Sequence, residues 1–408
     1  MYSKTGSLKL VQEINRSVVL NLIKDRGPLS RADISRITKL TRSTISSIVS
    51  YLIKKNLVKE TGLSSSGVGR KGILLKLNPK AYYVVGVDLG TLNTIAVVVD
   101  LEGKIMERVE HPTNSERSKD KVIERLKAVI HEVITASNIN IQKIAGIGLA
   151  VPGLVDSKKG IMLITPNFGW RNTPIGEILE KEFHTPIFID NNNNVMALGE
   201  AEFGIAQGVR NFVCINVGMG IGSGIVINGE LYRGETESTG EIGHTTVDYN
   251  GPKCSCGNYG CLEVMAAAPA IAKRAVKAVK EGKKTLISEL VNSNLDEISA
   301  AIVAEAANKG DKLAQGIIEK TGEYLGTGIA NIINLFNPQM VIIGGGVAQA
   351  GDLIFNPLKK TMEKRAFPVP AKVAKIVASS LGRDCTVIGA ATLVLKKTFK
   401  SAKVISSS

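Results

Sequence analysis

The chain has 408 residues, 44% hydrophobic and 4% aromatic, with a formal net charge of +14. That length exceeds one ordinary core and predicts two or three domains, in a composition that suits a soluble α/β protein. No run of about 18 apolar residues occurs and the start MYSKTGSLKL lacks the apolar centre of a signal peptide, so neither a transmembrane helix nor export is expected, and a cytoplasmic protein is.

The charge is unevenly placed. Residues 1–80 hold 16 lysines and arginines against four acids (Glu13, Asp25, Asp33, Glu60), a surplus of 12, whereas the remaining 328 hold 35 against 33. A basic first segment on a near-neutral body is the footprint of a nucleic-acid-binding arm; a solvated basic surface is the plainer reading. The pattern of these residues favours the first. Val18, Val19, Leu22 and Ile23 predict one helix with a buried stripe, ended by DRGP. Ser30 is a cap for a short second helix carrying Ile34 and Ile37. A third helix places Ile45, Ile48, Val49 and Leu52 on one face and Arg42, Ser43, Thr44, Ser46 and Ser47 on the other. This is a helix-turn-helix pattern, and Arg42, Ser43, Thr44 and Ser47 are the expected contacts to DNA. Two strand-like runs, Leu57–Glu60 and Ile73–Leu77, flank a Gly/Ser loop with Arg70 and Lys71, which reads as a β-wing reaching the minor groove or backbone.

From residue 82 the pattern changes. YYVVGVDLGTLNTIAVVVD is two apolar strands around a tight turn, and NFVCINVGMGIGSGIVINGEL repeats strand, glycine loop, strand. Amphipathic helices are predicted over 119–136 and 262–281. Two similar glycine turns suggest two related α/β lobes. Such loops can cradle phosphate or simply turn a hairpin. A further apolar strand, MVIIGGGVAQAG, ends in Gly344–Gly346, and VIGAATLVL reads as a helix that packs closely through small residues.

The stretch FIDNNNNVMALGE sets four asparagines between an apolar run and a helix. Asn caps helices well, so a polar loop with a cap is one reading and a site that holds a hydroxylated ligand is the other. A stronger local signal is GEIGHTTVDYNGPKCSCGNYGCLE. His244, Cys254, Cys256 and Cys261 supply one imidazole and three thiolates, a closed tetrahedral shell that fits structural zinc.

DLGTLNT, AVPGLVD, TPNFGW, DNNNNVMALGE, VGMGIGSGI, GEIGH, CSCGNYGCLE and VIIGGG occur in the order typical of the ROK family, which the chain resembles over nearly its whole length. The resemblance implies an actin/hexokinase-like two-lobe fold, with a sugar bound in its cleft, behind the winged helix-turn-helix. The expected divisions are 1–80 for the head, 81–190 for the first lobe joined by a C-terminal helix near 384–400, and 191–383 for the second lobe with the zinc site and dimer surface. Members with such a head are mostly sugar-responsive transcription regulators, and the xylose-responsive repressors look most similar. The family's sugar contacts fall on Asn191, Asn192, Glu241, His244 and Glu263, with Asn167 as a lesser addition.

In the family's kinases the pattern is close to E-N-D-x-N-x-x-x-x-G-E, and its Asp is the base that deprotonates the sugar. Asn192 stands there in this chain. An amide can hydrogen-bond a hydroxyl but cannot accept its proton, and general-base catalysis is worth about 10²–10⁴ in rate. Met219 stands where kinases usually carry Thr, and DLGTLNT keeps Asp88 and Gly90 but departs from D-x-G-G-T. Phosphoryl transfer rests on positioning and charge stabilisation, so these losses compound. The expectation is a repressor with no catalytic residue and no need of ATP, acting as a homodimer or tetramer on a palindromic operator. An ATP-dependent sugar kinase with a DNA-binding head is the alternative.

Overall fold

Leu8–Arg26 (α1), Arg31–Thr38 (α2) and Arg42–Lys54 (α3) open the computed structural model, which describes residues 8–63, 72–113 and 118–400. Capping decides where these helices start. Ser30 and Asp33 form a reciprocal box at α2: Asp33 N donates to Ser30 Oγ (3.2 Å) and Ser30 N to Asp33 Oδ2 (3.3 Å). The Ser30 hydroxyl is also the first reason that the Asp33 carboxyl lies below its ordinary value. Thr41 caps α3 through Thr44 N at 3.3 Å. Val19, Leu20, Ile23, Ile34, Ile45, Ile48, Val49 and Leu52 form the buried core of this head. One expected stripe position differs: Val18 is 46% exposed, because Leu20 rather than Val18 turns inward on α1. On α2, Ile34 is buried while Ile37 is 39% exposed.

Leu29–Ser30 (β1), Val58–Leu63 (β2) and Ile73–Leu77 (β3) complete the head as a sheet in the order β1-β3-β2, with Leu29 opposite Leu75. The two-residue β1 is too short to leave a pattern in the sequence. Arg70 and Lys71 of the wing lie outside the described residues.

The chain divides into two units. The first holds residues up to Leu149, Pro174–Ile189 and those from Ala390 on, so the head groups with the first lobe. Its five-stranded sheet runs β11-β7-β4-β5-β6, from Tyr83–Leu89 (β4), Asn93–Asp100 (β5), Ile105–Pro112 (β6), Ile144–Val151 (β7) and Ile187–Asn191 (β11). The helices Lys119–Ala136 (α4), Ile175–Phe183 (α5) and most of Cys385–Lys400 (α14) belong with it. A side chain on Gly148 would strike the carbonyl of Ala390, so the small residues of α14 do permit close packing. At its far end α14 meets the head: Ser17 Oγ and Asn21 Nδ2 both donate to the Phe399 carbonyl, at 2.6 and 3.2 Å, and Lys24 Nζ lies 4.9 Å from the centre of the Phe399 ring.

The second unit holds Ala150–Thr173 and Asp190–Gly389. The first lobe was expected to run unbroken to 190. Instead Leu154–Asp156 (β8), Ile161–Thr165 (β9) and Trp170–Thr173 (β10) pair into a small antiparallel sheet that belongs here. The main sheet runs β14-β13-β12-β15-β16, from Phe212–Val217 (β12), Ile221–Ile227 (β13), Glu230–Leu231 (β14), Met340–Gly344 (β15) and Lys375–Ala378 (β16). The β12–β13 pair is antiparallel, while β12–β15 and β15–β16 are parallel.

Asn192–Phe203 (α6) lies against β13. The helix expected over 262–281 is two, Leu262–Ala266 (α7) and Ala268–Lys280 (α8), with Ala267 extended between them. Pro269 explains the break, since it has no N–H and its ring cannot fit a continuing turn. Leu286–Leu290 (α9), Ala300–Asn308 (α10), Lys312–Phe336 (α11), Asp352–Arg365 (α12) and Pro368–Val373 (α13) complete the unit. The main core gathers α11, α12 and one face of the sheet; Gly322 and Gly326 bring α11 up to the backbone of α12. No helix among the described residues is long and apolar enough to cross a membrane.

Candidate functional site

All six residues expected to touch a sugar lie in the second unit. The asparagine run begins where β11 ends. Asn191 is the N-cap of α6: its Oδ1 accepts from Asn193 N (2.8 Å), and its Nδ2 donates to the Gly153 carbonyl (2.8 Å). Its amide is therefore engaged within the protein on both sides, so the capping reading of the run holds at this position. Asn192, half-buried in the first turn, has no hydrogen-bond partner among the described residues. Asn194 is buried, and its Nδ2 donates to Asp190 Oδ1 (3.0 Å).

Asp190 anchors this run and was not singled out from the sequence. It is 2% exposed, its Oδ1 also accepts from Asn191 N (2.8 Å), and its Oδ2 accepts from Arg233 Nη2 (2.5 Å). A buried carboxylate needs such partners, and these fix the entry to α6. Nothing near Arg233 in the sequence marks it as that partner.

A second set gathers at the start of β13. Glu263, in the first turn of α7, accepts from Ile221 N through Oε2 (3.0 Å). Any side chain on Gly220 would strike Glu263, and one on Gly222 would strike Asn193, so these glycines let α6 and α7 approach one strand from two directions. Glu241 and His244 stand nearby, with His244 Nε2 4.0 Å from Glu241 Oε2. Partial desolvation raises the pKa of the Glu241 carboxyl, although its side chain remains 55% exposed; His244 opposes the shift and Glu263 adds to it. Asn167 sits exposed in the turn between β9 and β10, beside Phe168 and Trp170, whose rings stack with centres 4.9 Å apart.

The other nitrogen of His244 faces sulfur. Its Nδ1 lies 3.6 Å from Cys254 Sγ, Cys256 Sγ lies 3.8 Å from Cys261 Sγ, and all four donor atoms fall within 4.8 Å of one another. Metal–sulfur bonds of about 2.3 Å and metal–nitrogen bonds of about 2.0 Å in a tetrahedron require edges of roughly 3.6–3.8 Å. The cluster can thus hold a metal ion. Burial pushes the Cys261 thiol up to about 12, whereas a backbone hydrogen bond at Asn258 lowers that of Cys256. A bound cation would hold both as thiolates. At 4.0 Å the Glu241 carboxylate lies beyond hydrogen-bond distance of the imidazole, near enough to act on it through charge.

The glycine loops are less equipped. Met219 is 46% exposed at the tip of the second. In the first, Asp88 is half-buried without a partner among the described residues, and burial pushes its carboxyl up to about 7. In the head, Arg42, Ser43 and Ser47 are exposed on α3, but Thr44 is half-buried with its hydroxyl 2.8 Å from Thr41 Oγ1. Ser50 and Lys54 continue the same exposed face. Their helical spacing from Ser43 and Ser47 could have shown this.

Residues 84–397 match the ROK family, and residues 14–70 match the MarR family. The chain belongs to the ROK family. It is 35% identical to the xylose repressor of Bacillus spizizenii over 95% of this chain and 96% of that one. Among ROK structures, the crystal structure of a transcriptional regulator described as a homolog of the E. coli MLC protein superposes with a TM-score of 0.84 at 31% identity, covering 97% of this chain and all of that one. A ROK family glucokinase from Streptomyces griseus, in complex with glucose and AMPPNP, gives 0.70 at 29% identity and covers 76% of this chain and 98% of that one.

Proposed function

We propose that this chain is a sugar-responsive transcriptional repressor. The observation that carries the reading is the union, on one chain, of a MarR-like head and a ROK body. Residues 1–80 form the DNA-binding domain, with Arg42, Ser43 and Ser47 reaching base edges and phosphates, Thr44 chiefly holding the helix start, and Arg70 and Lys71 acting from the wing. The body comprises a first lobe, which the helix near 384–400 joins, and a second lobe with the metal site and dimer surface. A homodimer sets two recognition helices on a palindromic operator.

A monosaccharide, xylose or a close relative, binds through Asn192, Glu241, His244 and Glu263, with Asn191 shaping the entry and Asn167 at the edge. Amides and carboxylates in fixed orientations suit the many hydroxyls of a sugar. For sugar to release the operator it must bind the form that does not hold DNA more tightly, and the coupling is reciprocal. His244, Cys254, Cys256 and Cys261 hold structural zinc, which fixes His244 beside Glu241.

Fluorescence anisotropy of the full chain on its own upstream DNA, at fixed salt, tests this reading. Tight binding lost on adding D-xylose or another single monosaccharide is the expected result. DNA binding indifferent to every sugar would overturn the effector assignment, and absence of DNA binding would overturn the repressor itself. Similarity to the Streptomyces glucokinase favours a second reading, a sugar kinase. Asn192 and Met219 stand against it, and turnover of ATP by the wild-type chain with any monosaccharide would establish it.

A further inference from the structure

The close packing of α11 on α12 leaves a cavity of about 420 Å³ at one end, remote in composition from the sugar site: none of the six sugar candidates lines it. Lys320, Lys364 and Arg365 bring three positive charges to its wall, and Asp248 and Glu323 two negative ones. Lys320 and Glu323 satisfy each other at 2.8 Å, and Lys320 also lies 5.0 Å from the centre of the Tyr324 ring. Lys364 and Arg365, exposed in the last turn of α12, have no ion-pair or hydrogen-bond partner among the described residues. The hydroxyls of Tyr324, Thr327 and Thr361 complete the polar lining.

Cations at a helix C-terminus complement its dipole, which accounts for Lys364 and Arg365 individually. It does not account for their meeting hydroxyls and an acceptor around one cavity. A phosphate dianion asks for two charge-assisted donors, and a guanidinium beside an ammonium supplies a bidentate fork and a point charge. Asp248 excludes an anion with no hydroxyls, because its carboxylate would face the ligand unpaired. One of its oxygens accepts from Asn250 N (3.1 Å), leaving the other for a ligand hydroxyl.

We propose that this cavity binds the phosphate monoester of a small polyhydroxylated metabolite, a sugar phosphate, with Lys364 and Arg365 on the phosphate and Asp248 and the three hydroxyls on the carbon chain. Asp248 belongs to the loop that carries the metal donors: its N–H and that of Val247 both donate to the Gly260 carbonyl, next to Cys261. A ligand seated here therefore bears on the loop that positions His244, and gives the chain a second small-molecule input. The proposal stands apart from the sugar reading and survives its failure.

Isothermal titration calorimetry of the full-length protein with ribose 5-phosphate and fructose 6-phosphate, against inorganic phosphate and ribose, is the test. At least one ester should bind tenfold or more tightly than inorganic phosphate or the free sugar. Arg365→Ala should weaken that binding at least tenfold. Lys360→Ala removes the same charge from an exposed position on α12 outside the cavity and should leave it unchanged. Circular-dichroism melting confirms that both variants are folded. No ester binding at millimolar concentration, or equal weakening by both variants, would overturn the proposal; the second outcome would mark a diffuse attraction to the basic chain.

Discussion

The two five-stranded sheets share one plan. Numbered within its own sheet, and read from β11 in one and from β16 in the other, each runs fifth, fourth, first, second, third. Each turns after its first strand on a glycine, at Asp88-Leu89-Gly90 and at Asn216-Val217-Gly218. Yet one presents a carboxyl with no partner among the described residues and the other an amide that packs against Gly345. The first unit bears the DNA-binding head, while the second bears every sugar candidate and all four metal donors. The sheet is a scaffold used twice, and what each copy does is set by the loops hung on it.

The largest expected effect tests this division directly. A chelator, or Cys261→Ser, should disorder the 244–261 loop and abolish the sugar response while leaving operator binding intact, as anisotropy with and without sugar would read. Equal loss of DNA binding would mean that the units do not divide the work. Next, Asp190→Ala strands Arg233 and removes acceptors from Asn191 and Asn194. It should cost about 3–5 kcal/mol, read as a fall in the urea midpoint.

Asp88 in the first unit should behave oppositely, since it has no partner among the described residues. Its carboxyl ionises near pH 7 in the folded chain but near 3.8 when unfolded. Between those values the folded state retains a proton that the unfolded state has released, so stability falls as pH rises. Asp88→Asn removes that slope. It should stabilise the chain by about 2 kcal/mol at pH 8 and by nothing below the unfolded value, allowing for partial solvent screening. Urea melts at pH 8 and at the lowest pH that keeps the fold would measure the difference.

The smallest effect separates neighbours. Asn192→Ala should weaken sugar binding by about 1 kcal/mol at unchanged stability, and Asn191→Ala should lower stability by about 1 kcal/mol through the lost cap. Titration calorimetry and thermal melting on the same pair would show whether the two amides divide in this way.

What the sequence made legible was mostly local. The cap at Ser30, the apolar spacing of α3 and the grouping of His244 with three cysteines all act within about 20 residues, and each left a pattern. The failures were of two kinds. Val18 and Leu20 are both apolar and adjacent to Val19, so spacing alone could not say which faces inward. The pairing of Asp190 with Arg233 joins residues 43 apart and depends on how α6 meets the following hairpin, a tertiary fact that leaves no local mark. Pro269, by contrast, was visible and should have divided the 262–281 helix.

The hydrogen bonds from Ser17 and Asn21 to the Phe399 carbonyl span up to 382 positions. At translation rates of about 5–20 residues per second, roughly 20–75 s separate the synthesis of these partners. The head has its own core and caps, and can fold while the rest of the chain is still being made. Its fastening to α14 must wait for the last helix to leave the ribosome. Nascent heads are therefore folded before they are oriented, and a chain stopped short of Phe399 would carry a DNA-binding domain without its clasp to the body.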